Sequence, residues 1–363
     1  MDVLARPVEG ATVTADIKHY PFLAIVGQEE IKMALILAML NPMVGGVLLI
    51  GPRGTGKTTA VRGLVELMPL TRRSRCPYGC EPEAAETWGM DAICPDCAQK
   101  LARGEDIMGF DRMRLIELPL NARLEDVVGG IDERIALEQK RVRLSRGILS
   151  YAHRNVLYID EVNLLADEIV DAILDAAALG YYNVRRGPLA GTYQARFTLI
   201  GSMNPEEGSL RPQIMDRFGL RVVVSGLAEA EERLEVYHRV RTFADNPHEF
   251  LALYSPETVV FTEELVQARE LLPKVTVTPE AKQMTLDLVN TLQIASSRAE
   301  IVTLEAARAH AAADGRTEAT VEDVSAVAPM ALRQRRSQFM VDYFEESEEE
   351  KEEIKAILNK AKR

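Results

Sequence analysis

Residues 47–58 read Val47-Leu48-Leu49-Ile50-Gly51-Pro52-Arg53-Gly54-Thr55-Gly56-Lys57-Thr58: four apolar positions, then a match to G-x-x-x-x-G-K-[ST]. The context is the one this motif requires, an apolar strand before the glycines and a helical pattern, 58–68, after them. Glycines let consecutive backbone N–H groups turn inward around phosphate oxygens, and the helix start adds its positive end. Gly51, Pro52, Arg53, Gly54, Thr55 and Gly56 would then form the cradle. Lys57 would reach the β- and γ-phosphates, and Thr58, with Thr59 beside it, would offer a hydroxyl to Mg2+. The competing reading, a glycine turn with an exposed lysine, has no use for the strand and helix on either side.

A phosphate cradle needs a second wall, a buried strand that ends in carboxylates. Asn155-Val156-Leu157-Tyr158-Ile159-Asp160-Glu161 supplies it. Asp160 is placed to hold the Mg2+ of ATP, and Glu161 to polarise the attacking water for in-line phosphoryl transfer. Phe197 to Pro205 is another apolar strand ending in a polar residue, Asn204, suited to orienting that water. Leu210-Arg211-Pro212-Gln213-Ile214-Met215-Asp216-Arg217-Phe218 then sets two arginines six apart. Taken singly, either arginine reads as a surface ion-pair residue.

Working outward, short apolar runs alternate with helical patterns over the first two-thirds of the chain, which predicts an α/β fold with a parallel sheet flanked by helices. Strands are expected at 47–50, 114–118, 156–159, 198–202 and 221–224, without polar alternation, as strands buried on both faces should be. Helices are expected at 29–40, 58–68 and 166–179. Beyond about residue 228 the pattern predicts helices only, at 229–243, 262–272, 279–292, 297–314 and 321–336. Thr278-Pro279 and the Thr320 to Asp323 capping box mark two of their starts. The expected organisation is an N-terminal extension (1–17), an α/β domain (18–245), an all-helical C-terminal domain (246–340) and a charged tail (341–363).

The 363 residues are 47% hydrophobic and 27% charged, with a formal net charge of −12. That apolar fraction excludes a wholly disordered chain. The acidity argues against a broad duplex-binding surface, so no nucleic acid is expected. It is also uneven, since Asp342 to Glu353 alone holds eight acids and one lysine. Met33 to Pro52 carries no charge over a length that could span a bilayer. Asn41-Pro42 and Gly45-Gly46 interrupt it, so it reads as helix, turn and strand rather than a membrane span. Without a signal or transit pattern, a cytoplasmic protein is expected.

The series of phosphate loop, Asp-Glu strand, Asn strand, Arg-Pro-Gln-x-x-Asp-Arg-Phe and helices resembles an AAA+ P-loop ATPase with its helical lid. The wording of Ala24-Ile25-Val26-Gly27-Gln28, of Ile159 to Leu165, of Gly201 to Gly208 and of Leu210 to Leu220 is narrower. It resembles the small ATPase subunits of magnesium chelatase over about residues 18–336. That family inserts Mg2+ into protoporphyrin IX on the way to chlorophyll and bacteriochlorophyll. The resemblance implies ATP and Mg2+ as cofactors and a homo-oligomeric, hexameric ring. It also implies two partners, a large porphyrin-binding subunit and a bridging AAA+-like subunit. By the same resemblance Asn204 is the first sensor, and Arg217 is the finger that reaches a neighbour's γ-phosphate. Arg298, within Ser296-Ser297-Arg298-Ala299-Glu300, is the second sensor and touches the nucleotide of its own chain. Ile25 and Val26, with Gly27, line the adenine pocket. A MoxR-type protein-remodelling ATPase, the motor of a related cobalt chelatase and a helicase-like ring share the generic motifs. For the last, only Arg134, Lys140, Arg141 and Arg143 speak.

Lys57 and Asp160 stand 103 positions apart, more than a compact nucleotide-binding unit needs. Residues 120–150, with alternating Val142 and Leu144, suggest a hairpin insertion. Residues 74–100 hold all four cysteines as Cys76-x3-Cys80-x13-Cys94-x2-Cys97. Paired short spacings suit a four-thiolate zinc loop. A redox pair and four reduced structural thiols are the competing readings.

Overall fold

The computed structural model of the chain describes residues 18–132, 137, 142 and 144–337. Its strands, in chain order, are β1 (Val47–Ile50), β2 (Leu70–Ser74), β3 (Met108–Arg112), β4 (Leu115–Leu118), β5 (Val156–Ile159), β6 (Tyr181–Arg186), β7 (Leu189–Gln194), β8 (Thr198–Met203), β9 (Leu220–Val223), β10 (Thr276–Val277) and β11 (Glu318–Ala319). Five of them form the central sheet in the order β4-β5-β8-β1-β9, every pairing parallel. Every residue of β1, β5 and β8 is buried, as expected of strands covered on both faces.

Because successive strand residues point to opposite faces, β1 divides its side chains between two cores. Val47 and Leu49 pack with helices Glu29–Leu40 and Lys57–Leu67, while Leu48 and Ile50 pack with helix Asp167–Leu179. The first core continues into the C-terminal helices through Ala306, Ala307 and Ala311 of Arg298–Ala313. Small alanine side chains let that helix lie close to Glu29–Leu40.

The uncharged stretch 33–52 resolves as read: helix to Leu40, a turn at Pro42–Val44 in which Asn41 Oδ1 accepts the Met43 N–H at 3.0 Å, then β1. Among the described residues no helix is long and apolar enough to cross a membrane. Thr278 caps helix Pro279–Thr291, and both arms of the Thr320–Asp323 capping box form at helix Val321–Leu332. Of the 120–150 insertion, helix Leu124–Val128 and one antiparallel bridge, Ile131 to Leu144, are described. Arg134, Lys140, Arg141 and Arg143 lie outside the described residues, as do 1–17 and the tail.

Three expectations need correction. Strands do not stop at 228, because β10 and β11 pair in parallel among the C-terminal helices. The helix expected at 262–272 begins at Pro247 and runs unbroken through Pro256 to Leu271. A proline there removes one backbone donor, and the β-branched residues that look strand-like, Thr258 and Thr262, direct their hydroxyls to carbonyls four residues back. Two antiparallel pairs, β2–β3 and β6–β7, are additional to the expected strands. β6–β7 does carry a signal: Tyr182 and Val184 alternate with polar residues before a Gly187-Pro188 turn, and both are buried.

Candidate nucleotide site

The glycine loop leaves the carboxyl end of β1, where parallel sheets bind ligands. Gly51 sits so close to β9 that a Cβ there would lie 2.2 Å from the Val224 carbonyl oxygen. Gly56, with φ +85°, occupies the left-handed region at the N-cap of helix Lys57–Leu67. Lys57 is nearly buried, and its Nζ donates to the Gly51 and Pro52 carbonyls, each at 2.7 Å. Burial lowers the pKa of this ammonium, and Asp160, Glu161 and Glu207 offset part of that shift. Arg53 to Thr59, Asp160, Glu161, Ser202, Met203 and Asn204 line one cleft of about 240 Å3.

The two carboxylates are held differently. Asp160 Oδ1 accepts from Ser202 Oγ at 2.5 Å and from the Tyr158 hydroxyl at 2.9 Å, while its Oδ2 lies 3.5 Å from Thr58 Oγ1. Burial raises the pKa of the Tyr158 phenol, which keeps it a neutral donor. Glu161 has φ +50°, a left-handed conformation unusual for a glutamate, and its backbone N–H donates to Ser202 Oγ at 3.1 Å. Its carboxylate pairs with Arg53 at 3.1 Å, and Arg53 also pairs with Glu207 at 2.5 Å. Asn204 is buried in the same cleft, and its Oδ1 accepts the Glu206 N–H at 3.2 Å. The structure brings the phosphate loop, the carboxylate pair and Asn204 together at one cleft.

Ser202 and Tyr158 are functional candidates absent from the sequence reading. The β5–β8 register pairs Ile159 with Gly201, so the next step sets Asp160 beside Ser202. That adjacency is set by strand register and is not visible in the sequence. Hydrogen bonds to charged groups contribute about 1.5–3 kcal/mol. Ser202→Ala is therefore expected to slow ATP hydrolysis about 10- to 100-fold with little change in ATP affinity. Parallel turnover and nucleotide-titration measurements check this, and a Ser202→Thr variant that keeps the hydroxyl should recover most of the rate.

The arginines fall elsewhere. Arg217 ends helix Pro212–Arg217 and pairs with Asp175 at 2.5 Å. Arg298 Nη1 donates to the Asp216 carbonyl at 3.0 Å, so it does not reach the phosphate cleft of its own chain as expected. The reason is packing: Val302 of the same helix lies against the Gly219 turn, which fixes the start of helix Arg298–Ala313 beside Asp216. Arg217 and Arg298 share a second cavity of about 570 Å3 with Ser296 and Ile301. Asp216, given no role by sequence, organises this region: Arg335 pairs with it at 2.5 Å, and Arg221 and Arg298 each lie 3.7 Å from it.

Ile25 and Val26 follow the short turn Phe22–Ala24, which packs on helix Lys57–Leu67. The adjoining Gly27 meets Leu227, and Gln28 Nε2 donates to the Ser225 carbonyl at 2.9 Å, just past β9. The four cysteines are unbonded, with their sulfurs within 4.8 Å of one another.

Comparison with known proteins matches residues 134–229 to the family model described as magnesium chelatase, subunit ChlI, and residues 287–357 to the AAA lid domain. The chain is 43% identical to the magnesium-chelatase 38 kDa subunit of Acidiphilium rubrum over 317 residues, 87% of this chain and 90% of that one. It is 41% identical to a magnesium-chelatase subunit ChlI homolog of Methanocaldococcus jannaschii over 346 residues, 94% and 92% of the two chains. Among solved structures, a putative ATPase from Cytophaga hutchinsonii aligns over 86% of this chain and 84% of its own, at 20% identity and a TM-score of 0.56. That likeness shows the fold.

Proposed function

The chain belongs to the ChlI subunit family of magnesium chelatase, and from that premise we propose that it is the ATP-hydrolysing AAA+ motor of such an enzyme. Its work drives insertion of Mg2+ into protoporphyrin IX, in chlorophyll or bacteriochlorophyll synthesis. The observation that carries this reading is the family likeness over 87–94% of the chain, joined to one cleft that holds the phosphate loop, the carboxylate pair and Asn204.

The cleft supports the following division of labour. Backbone N–H groups of Gly54 to Thr58 cradle phosphate, and Lys57 exchanges the Gly51 and Pro52 carbonyls for phosphate oxygens. Thr58 and Asp160, whose oxygens face each other across 3.5 Å, would hold the Mg2+ that offsets phosphate charge. Glu161 takes the proton of the attacking water, and Asn204 orients that water. Arg217 and Arg298 line one cavity away from this cleft, which supports delivery of both to a neighbouring chain. A hydrolytic site completed by a neighbour makes activity depend on assembly, and a closed ring supplies such an interface to every chain.

Metal insertion is assigned to a large porphyrin-binding subunit, reached through a bridging AAA+-like subunit. Combining the three subunits with ATP, Mg2+ and protoporphyrin and following Mg-porphyrin fluorescence tests the reading. Product is expected only from the full mixture with hydrolysable ATP. Metallation by this chain alone would overturn the division of labour. In a parallel mixture with Co2+ in place of Mg2+, product from cobalt and none from magnesium would move the motor to the related chelatase.

A further inference from the structure

The cysteine module stands apart from the nucleotide site and has its own small core. Cys76 and Cys80 lie on the turn after β2, while Cys94 caps helix Pro95–Ala102 and Cys97 sits in its first turn. All four Sγ atoms lie within 4.8 Å of one another, although the chain between the pairs makes a separate helix, Pro82–Trp88. Zinc–sulfur bonds of about 2.3 Å place tetrahedral sulfurs roughly 3.8 Å apart. The cluster is therefore near the size of one coordination sphere. Two disulfides would draw the sulfurs into two close pairs. An iron–sulfur cubane would spread its four thiolates over the corners of a wider cage.

Two further observations point to bound negative charge on these sulfurs. Backbone donors are aimed at them: Cys80 N–H at Cys76 Sγ (3.3 Å) and Cys94 N–H at Cys80 Sγ (3.2 Å), with Ser74 Oγ 3.5 Å from Cys97 Sγ. Such donors support thiolate ligands. Beneath the knuckle lies Arg73, fully buried, its Nη2 only 3.1 Å from the position of a Cβ on Gly79. Arg73 donates to the Arg112 and Arg154 carbonyls and to Asn155 Oδ1. Among the described residues no carboxylate pairs with it within 4 Å, and its Nε and Nη2 have no partner. A buried cation needs an opposite charge. Four thiolates around a divalent ion carry a net charge of −2, once four protons have left to solvent.

The apolar content makes the same demand. Besides cysteines, the module's core buries only Ala84, Ile93 and Ile107. Units below about 40 residues usually need a metal, disulfides or a partner to stay folded. We infer that Cys76, Cys80, Cys94 and Cys97 bind one zinc ion as four thiolates, and that this ion fixes the module. The module in turn forms one wall of a large cleft of about 1520 Å3. Tyr78 of that wall and Tyr193 of the β6–β7 hairpin hold the Arg146 guanidinium between them, at 4.9 and 4.7 Å from their ring centres.

The full chain, purified without added zinc, is expected to carry about one zinc per chain. Cobalt replacement should give the visible absorption of a tetrahedral thiolate site. Trp88, the only tryptophan, lies in the module against Tyr181, with ring centres 5.9 Å apart. Stripping the metal should therefore shift its emission to the red, and zinc alone should restore it. Cys94→Ser should lose the metal; if that variant aggregates, the stripped and reloaded wild type decides. Protein without zinc whose Trp88 emission ignores a chelator overturns the inference. So does iron in place of zinc, or a mass showing two disulfides.

Discussion

Glu161→Gln will bind ATP as the unaltered chain does and hydrolyse it about 10²- to 10⁴-fold more slowly, the range a positioned general base contributes. The amide matches the carboxylate in shape and can still accept from Arg53, so the loop that carries Arg53 keeps its contact. It cannot take a proton from water. The contacts expected to hold nucleotide, from Lys57, Thr58 and Asp160, remain in place, and so does the Ser202 Oγ bond to the residue 161 backbone. The left-handed φ of +50° at this position is a backbone property that glutamine tolerates no worse than glutamate. Single-turnover hydrolysis measured beside nucleotide affinity separates the outcomes. An unchanged rate would remove Glu161 from the chemistry. A loss of affinity equal to the loss of rate would make it a binding residue instead.

How much of this site the sequence exposes depends on whether a role is local or topological. The phosphate loop is local: glycines, lysine and threonine lie within eight residues, between a strand and a helix that the apolar pattern marks. Asp160 and Glu161 are legible for the same reason, as carboxylates at the end of an apolar run. Ser202 is not, because its partner stands 42 positions away and meets it only through strand register. Arg298 shows the opposite failure. Its motif is legible, but its destination depends on how helix Arg298–Ala313 packs against the Gly219 turn and helix Glu29–Leu40. That is a matter of close approach between small residues, which no local pattern encodes. The β2–β3 pair is hidden for another reason: β2, Leu70-Thr71-Arg72-Arg73-Ser74, buries an arginine where a strand template expects an apolar residue.

Arg217→Ala tests whether the second arginine face serves a neighbour, and its expected effect is the largest. An arginine finger contributes about 10³- to 10⁵-fold to phosphoryl transfer, so assembled Arg217→Ala chains should hydrolyse ATP that much more slowly while still binding it. Misfolding is a poor explanation for such a loss. The Arg217–Asp175 pair is solvent-accessible on both sides, and pairs of that kind contribute about 0–1 kcal/mol. Nor does Arg217 line its own chain's phosphate cleft. Mixing decides between an effect in the same chain and one across an interface. Lys57→Ala chains lack a working cradle but keep the finger, and Arg217→Ala chains have the reverse. In random mixed rings joined head to tail, about a quarter of the interfaces set an intact finger against an intact cradle. An equimolar mixture should therefore recover roughly that share of wild-type activity, although each variant alone is inactive. If the mixture stays as inactive as its components, Arg217 does not act across the interface. Arg217→Lys refines the reading, since a single ammonium keeps the charge but loses the planar fork that grips phosphate, and should restore only part of the rate.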